Sequence, residues 1–237
     1  YLAGVNIEDL ELILHPMVEE AKEAVGSMGD DTPAAVLSNR HRPLSHFFRQ
    51  NFSQVTNPPI DSLRENEVMS LKTRFGNLGN ILDFENLTKD NIYVLESPIL
   101  SNSQFEKFSV FFKNELKVLN CTFDIQNNLK KELDKLCSEA EIAVREGYKH
   151  LILSDKKISE KKAPIPMILA FGAINSKLIN LGIRGFVSIN VQTAEALDTH
   201  SFAVLLGVGA TTINPYLAFD SIYQRYEKKL FGKFNYK

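Results

Sequence analysis

The chain has 237 residues, of which 44% are hydrophobic and 24% are charged, enough for one large domain or two small ones with a buried core. Lys and Arg number 27 against 29 Asp and Glu, and this net charge of −2 argues against a nucleic-acid-binding protein or a polybasic membrane anchor. The longest apolar run, Phe202 to Val208, is far shorter than the roughly 18 residues of a transmembrane helix. We therefore expect neither nucleic acid nor a membrane as a partner.

Cysteine and histidine content argues against a metal site. Cys121 and Cys137 are too few for a disulfide framework or a four-thiolate site, and both are expected to be small core residues. The five histidines show no His-Glu-x-x-His pattern, so packing or surface roles are favoured for each. The chain begins at Tyr1 without a secretory signal pattern, and we expect it to be a piece of a longer protein from a reducing compartment.

Residues 1–91 are predicted to form a lead segment of helices and loops, distinct from residues 92–237. Apolar spacing, prolines at first turns and capping residues predict three helices in it: Ile7–Val25, Pro43–Asn51 and Ser62–Leu71. Pro16 should kink or split the first helix, because proline lacks the backbone N–H of a helix interior. Asp61 is a good N-cap for the third.

Residues 92–237 alternate short apolar strands with helices, which predicts an α/β fold of parallel βα units. The predicted strands are Ile92–Glu96, Leu116–Phe123, His150–Ser154, Gly185–Asn190 and Thr211–Asn214. The predicted helices are Ser103–Asn114, Gln126–Glu146, Pro166–Leu181, Thr193–Leu206 and Tyr216–Lys229. Such a series implies an open parallel sheet or part of a (β/α) barrel, since a closed barrel needs eight units.

Three clusters are candidates for function, and one glycine pair is not. Gly207-Val208-Gly209 follows a helix and precedes a strand, the reverse of a dinucleotide fingerprint, so a helix cap and tight turn are favoured.

The polar run 38–44 could bind an anion or pair with acids across an interface. The loop 55–61 is stiffened by adjacent prolines. The segment 163–167 follows a strand at a helix start, where ligands bind in βα folds, although a stiff loop that orients the helix is favoured.

These clusters resemble one known family. The matching segments are Met28–Pro33, Arg42–Leu44, Phe47–Phe52, Val55–Glu65, Leu151–Asp155, Ala163–Pro166, Gly207–Ala210 and Asn214–Ala218. They are similar to the central region of the large, glutamine-dependent subunit of glutamate synthase, and the similarity extends over nearly the whole chain.

The resemblance implies an enzyme that converts L-glutamine, 2-oxoglutarate and two electrons into two molecules of L-glutamate. In this family an amidotransferase domain with an N-terminal cysteine releases ammonia, which passes through a tunnel to a synthase domain. That synthase domain is an FMN-bearing (β/α) barrel with an iron–sulfur cluster. The central domain joins the two and is a rudimentary (β/α) TIM-like barrel without its own flavin.

By this resemblance the chain is a non-catalytic connecting domain with no cofactor, inactive as an isolated fragment. Its partners would be the amidotransferase and FMN-binding domains of the same polypeptide, with a small reductase subunit or ferredoxin for the parent enzyme. NAD(P)H and ferredoxin both remain open as electron donors. The expected location is the cytoplasm, or the plastid stroma if the parent is a plastid enzyme.

The lead segment carries the candidate site residues. A tunnel wall must be rigid and exclude water, which suits the loop Thr56, Asn57, Pro58 and Pro59. The candidates for interdomain salt bridges are Arg40, Arg42 and Arg64. The alternative is an autonomous (β/α) enzyme or a scaffold with a phosphate- or flavin-like site near Pro164–Pro166.

Overall fold

The computed structural model describes residues 2–24, 36–39, 42–49, 61–76, 82–83, 85 and 92–232. By their contacts they belong to two compact units, one within residues 1–51 and 99–237 and the other within residues 52–98. The α-helices of the described residues are α1 (Ile7–Asp9), α2 (His15–Glu20), α3 (Ser62–Val68), α4 (Asn102–Phe111), α5 (Leu129–Arg145), α6 (Met167–Asn180), α7 (Thr199–Gly207) and α8 (Tyr216–Glu227). The strands are β1 (Thr73–Phe75), β2 (Tyr93–Leu95), β3 (Leu116–Asn120), β4 (Thr122–Asp124), β5 (His150–Ser154), β6 (Lys162–Pro164), β7 (Ser188–Gln192) and β8 (Thr212–Asn214).

The larger unit is built on a four-stranded parallel sheet in the order β3-β5-β7-β8. Every residue of β5 is buried, as expected for a central strand with both faces covered. The prediction of an α/β fold with parallel βα units is therefore confirmed. Beyond β8, Ile99 forms a parallel bridge with Ile213, and the Leu100 N–H donates to the Ile213 carbonyl at 2.8 Å.

The prediction of a parallel strand at Ile92–Glu96 is wrong. Its central residues form β2, which pairs antiparallel with β1 in the smaller unit. Burial along β2 changes from partial to exposed to buried, the pattern of a strand with one covered face. Pro98 separates it from Ile99, the residue that does reach the parallel sheet.

The predicted strand Leu116–Phe123 divides at Cys121 into β3 and β4. Cys121 N–H donates to the Ser154 carbonyl at 2.8 Å, and its own carbonyl accepts from Ile165 N–H at 2.8 Å. β4 then pairs antiparallel with β6 in a separate two-stranded sheet. The chain therefore leaves the parallel sheet as soon as it passes the carboxyl edge.

The lead helix is split, as predicted, but just before Pro16 rather than at it, and it ends earlier than Val25. A π-helical turn, Leu10–Leu14, separates α1 from α2, and the His15 N–H donates to the Leu10 carbonyl five residues back. This wide turn fits the missing N–H of proline. The helix stops at Ala21, whose φ of 53° is left-handed.

The second and third helices predicted in the lead segment are both shorter in the structure, and α3 ends at Val68 rather than at Leu71. A single 3₁₀ turn, Leu44–Phe47, follows Pro43 in place of an α-helix. Asp61 caps α3 as predicted, because its carboxylate accepts from Leu63 N–H at 3.1 Å and from Arg64 N–H at 2.9 Å.

The hydrophobic core lies between the parallel sheet and the helices α5 and α6. α5 buries residues at three- and four-residue spacing, so its apolar stripe faces inward. α6 contributes the largest share, and its fully buried side chains are Met167, Ala170, Phe171, Ile174 and Leu178. None of the helices in the described ranges combines the length and apolar character needed to cross a membrane.

The glycine pair after α7 is a helix end and turn, as predicted. α7 ends at Gly207, and Gly209 has a φ of +110°, a conformation that L side chains rarely adopt. Ala210 N–H donates to the Leu205 carbonyl at 3.0 Å and closes the turn into β8.

Candidate functional site

Amide and hydroxyl side chains link the carboxyl ends of three parallel strands. Ser154 Oγ donates to Gln192 Oε1 at 2.8 Å, and Gln192 Nε2 donates to Asn214 Oδ1 at 3.1 Å. Asn214 Nδ2 in turn donates to Asn102 Oδ1 at 2.9 Å and to the Leu100 carbonyl at 3.0 Å. These bonds tie β5, β7 and β8 to the start of α4, so this edge of the sheet is rigid.

Asp155, directly after β5, is the most buried carboxylate at this edge, with 1% of its surface exposed. It accepts hydrogen bonds from Thr193 Oγ1 at 2.6 Å, from Ala194 N–H at 3.0 Å and from the Tyr216 side chain. Burial raises its pKa, and the hydrogen bonds oppose that shift. With its donors already supplied, Asp155 holds the loop 193–198 in place rather than awaiting a ligand.

Glu195, in the same loop, has unused bonding capacity. Its Oε2 accepts from the N–H of Met167, the first residue of α6, at 3.0 Å. Its Oε1 accepts from none of the described residues. Burial raises the pKa of Glu195 to about 7; the Met167 hydrogen bond opposes this shift, and the charge of Asp155 adds to it. This carboxyl group can exchange a proton near neutral pH.

Glu195 lies in the wall of a cavity of about 540 Å³ at the carboxyl edge of the sheet. The cavity brings together two clusters singled out in the sequence, since Arg42, Pro164 and Pro166 all line it. His200 of α7 helps to hold the lead segment there, because its Nε2 lies 2.8 Å from the Ser45 carbonyl. Such a position, outside the carboxyl ends of parallel strands, is where α/β folds bind ligands.

The cysteines have no catalytic environment. Burial raises the pKa of the Cys121 thiol far above its usual range and also raises that of Cys137, so neither is a reactive thiolate at neutral pH. Within the described ranges, no three His, Cys, Asp or Glu side chains are grouped so as to hold a metal ion.

The predicted site residues fall in different places. Arg42 lines the cavity, and its guanidinium carbon lies 5.3 Å from the centroid of the Phe47 ring. Arg64 is exposed on α3, in the smaller unit. The remaining candidates lie outside the described residues: Arg40, Thr56, Asn57, Pro58 and Pro59.

Sequence reasoning missed the polar residues that follow β5 and β7. Asp155 and Thr193 come directly after apolar strands and Glu195 follows two residues later, and that position is the available signal. The segment 193–206 resembles a helix in composition, however, and so concealed a loop with two partly buried carboxyl groups, Glu195 and Asp198.

Glu195→Gln is expected to stabilise the protein at alkaline pH. The folded state holds the Glu195 proton up to about pH 7, whereas the ordinary pKa is 4.5. The contribution of this group to stability is therefore complete below pH 4.5 and is lost as pH rises through about 7. We expect the variant to be more stable by about 2 kcal/mol at about pH 8 and equal to the wild type at about pH 4.

Urea denaturation at both pH values, with the exposed Glu139→Gln as control, measures this difference. Equal stability of Glu195→Gln and the wild type at the higher pH would show that the carboxyl group is not destabilised by burial.

The family model described as "Glutamate synthase central domain" matches residues 1–236. The chain belongs to this family. The resemblance inferred from the sequence segments is thus confirmed.

Relatives of this glutamate synthase central domain come from bacteria and plants. The glutamate synthase [NADPH] large chain of Azospirillum brasilense is 54% identical over 232 residues, which cover 97% of this chain and 15% of the relative. The large chain from Bacillus subtilis is 40% identical over 227 residues, which cover 95% of this chain and 15% of the relative. The chloroplastic ferredoxin-dependent glutamate synthase of Oryza sativa subsp. japonica is 42% identical over 227 residues, which cover 93% of this chain and 14% of the relative. The chain thus spans about 15% of the length of these relatives.

Proposed function

We propose that this chain is a non-catalytic central domain of a glutamate synthase, an enzyme that forms two L-glutamate from L-glutamine, 2-oxoglutarate and two electrons. The observation that carries the proposal is the match to the central-domain family over residues 1–236. Its relatives are named glutamate synthases, and the chain spans about 15% of their length. The amidotransferase and synthase chemistry then belongs to neighbouring domains of the same polypeptide.

The geometry of the cavity supports the non-catalytic assignment over a phosphate- or flavin-binding enzyme. Phosphate groups bind at helix N-termini, where free N–H groups point outward. Here a carboxylate occupies that place at both nearby helices: Glu195 accepts from the first N–H of α6, and Asp198 accepts from Ser201 N–H in α7. A phosphate near Pro164–Pro166 would lie beside the carboxyl groups of Glu195 and Asp198 and would find the Met167 N–H already bonded. The FMN and the iron–sulfur cluster are therefore assigned to the neighbouring synthase domain.

A spectrum of the purified chain tests this assignment. Bound flavin absorbs near 450 nm, and we expect no such band and no glutamate formation from glutamine and 2-oxoglutarate. A stoichiometric flavin on the isolated chain would favour the autonomous (β/α) enzyme instead. Flanking amidotransferase and FMN-domain sequences in the parent reading frame would support the connecting role, and native start and stop codons would oppose it.

We also propose that the parallel sheet is an incomplete (β/α) barrel. In a barrel the first strand neighbours both the second and the last. Ile99, which precedes α4, pairs with Ile213 of the last strand, while β3 lies at the opposite edge of the sheet. A doubly wound open sheet would place its first strand in the interior. The order along the sheet is thus that of a ring opened between residue 99 and β3.

A connecting role also assigns functions to the lead segment. We propose that residues 1–91 and 92–237 together form one domain that links its neighbours and contributes to the ammonia tunnel. The tunnel wall is assigned to Thr56, Asn57, Pro58 and Pro59, and the interdomain contacts to Arg40, Arg42 and Arg64. The position of Arg42 on a cavity wall, rather than in the core, supports a contact role for that residue.

The parent enzyme is proposed to receive electrons from a reductase subunit or from ferredoxin, since relatives are named after NADPH and after ferredoxin. The proposed location is the cytoplasm, or the plastid stroma where the parent is a plastid enzyme, as in the relatives named chloroplastic.

A further inference from the structure

The cavity at the carboxyl edge of the sheet has features that a connecting domain does not require. Its volume is about 540 Å³, and most of its wall is apolar, with Ile13 and Leu44 of the lead segment facing Ile168 and Leu205 of the helices. Among the polar side chains of the wall, Glu195 and Asp198 are held in place by hydrogen bonds from N–H groups of α6 and α7. A largely apolar wall with fixed polar groups is typical of small-molecule sites.

Two carboxylates of the cavity wall have an oxygen available for a ligand. Glu195 uses Oε2 for Met167 N–H, and Asp198 uses Oδ1 for the N–H and hydroxyl of Ser201. The second oxygen of each accepts from none of the described residues. Among those residues, no Lys or Arg forms an ion pair with Glu195 or Asp198.

Ionised Glu195 is partly buried without a cation, which is costly, and a positively charged donor would relieve that cost. Asp198, the N-cap of α7, offers a second acceptor beside it. A ligand that carries only negative charge is disfavoured, because the three carboxyl groups of Asp9, Glu195 and Asp198 line the cavity against two basic side chains. A bare ammonium ion leaves the apolar wall and most of the volume unused. The complementary ligand therefore carries a charged nitrogen on an apolar body.

We propose that this cavity binds a small organic primary amine, with its ammonium group on the free oxygens of Glu195 and Asp198 and its apolar body against the lead segment. Arg42 and His46 also line the cavity, so an amino acid could place its carboxylate toward them. The shared chemistry is the primary ammonium group. Such a site lies outside the proposed connecting role and is independent of it.

Calorimetric titration of the complete polypeptide with three probes of similar shape tests the proposal. The probes are isoamylamine, a simple amine; L-leucine, an amino acid; and 4-methylpentanoate, which lacks the amine. We expect saturable binding of at least one amine-bearing probe and none of 4-methylpentanoate. Tighter binding of isoamylamine assigns a simple amine, and tighter binding of L-leucine assigns an amino acid.

Variants locate the bound probe. Glu195→Gln keeps an oxygen for Met167 N–H but removes the charge. It is expected to lower the affinity for the amine-bearing probe at least about tenfold. Ile13→Trp fills the cavity from the partly exposed lead helix and is expected to abolish binding. The exposed Glu139→Gln, with melting curves of all three variants, serves as control. No saturable binding, or amine binding unchanged in both cavity variants, would overturn the proposal.

Discussion

Replacing Asp155 with alanine is expected to lower the free energy of unfolding by about 3–5 kcal/mol. The side chain is 1% exposed and accepts from Thr193 Oγ1, from Ala194 N–H and from Tyr216. Its removal leaves these donors buried without a partner, and each such group costs about 1–3 kcal/mol. The loop 193–198 would also lose its anchor to β5.

Chemical denaturation of the purified chain, followed by circular dichroism, measures the loss. The matched control is Asp134→Ala, an exposed aspartate on α5, which should change stability by less than about 0.5 kcal/mol. Equal stability of the two variants would contradict the anchoring role of Asp155. If Asp155→Asn retains most of the stability that Asp155→Ala loses, the effect comes from the hydrogen bonds rather than from the charge.

Phe171→Ala is the second substitution with a large expected effect. Phe171 is fully buried in the second turn of α6, and its ring lies 3.5 Å from the position that a Cβ on Gly209 would take. The ring therefore fills the space between α6 and the turn into β8. Its removal is expected to cost about 3–5 kcal/mol, the lost transfer energy plus that of the cavity left behind.

Ile179, on the same helix, provides the control. It is 56% exposed, so Ile179→Ala should cost less than about 1 kcal/mol. The two midpoints of urea denaturation give the comparison. Similar losses for both variants would mean that α6 is not packed by Phe171 as described.

Much of the fold follows from local pattern. The stripe of Leu133, Leu136, Ala140 and Val144 predicts α5, and the buried run of β5 predicts a central parallel strand. The family assignment, shown by the match over residues 1–236, was open to prediction from segments such as Val55–Glu65 and Asn214–Ala218. These features are readable because each depends on residues close together in the chain.

The remaining features depend on distant partners. Residues 193–198 have helical composition, yet Asp155, 38 residues before Thr193, holds them as a loop. The sequence does not show that β2 pairs with β1 rather than with the parallel sheet, because β1 is equally short and weakly patterned. The cavity arises where the lead segment meets the carboxyl edge of the sheet, so Glu195 stands out only once that contact is known.

The coupling of glutamine hydrolysis to glutamate formation tests the central claim most directly. In the complete enzyme carrying Asn57→Ala, with the exposed Asn180→Ala as control, the measured quantity is glutamine hydrolysed per 2-oxoglutarate consumed. If the domain connects the two active sites and forms part of the tunnel wall, ammonia escapes in Asn57→Ala. The ratio is then expected to exceed that of the wild type in Asn57→Ala and to stay unchanged in Asn180→Ala. An unchanged ratio in Asn57→Ala would contradict it.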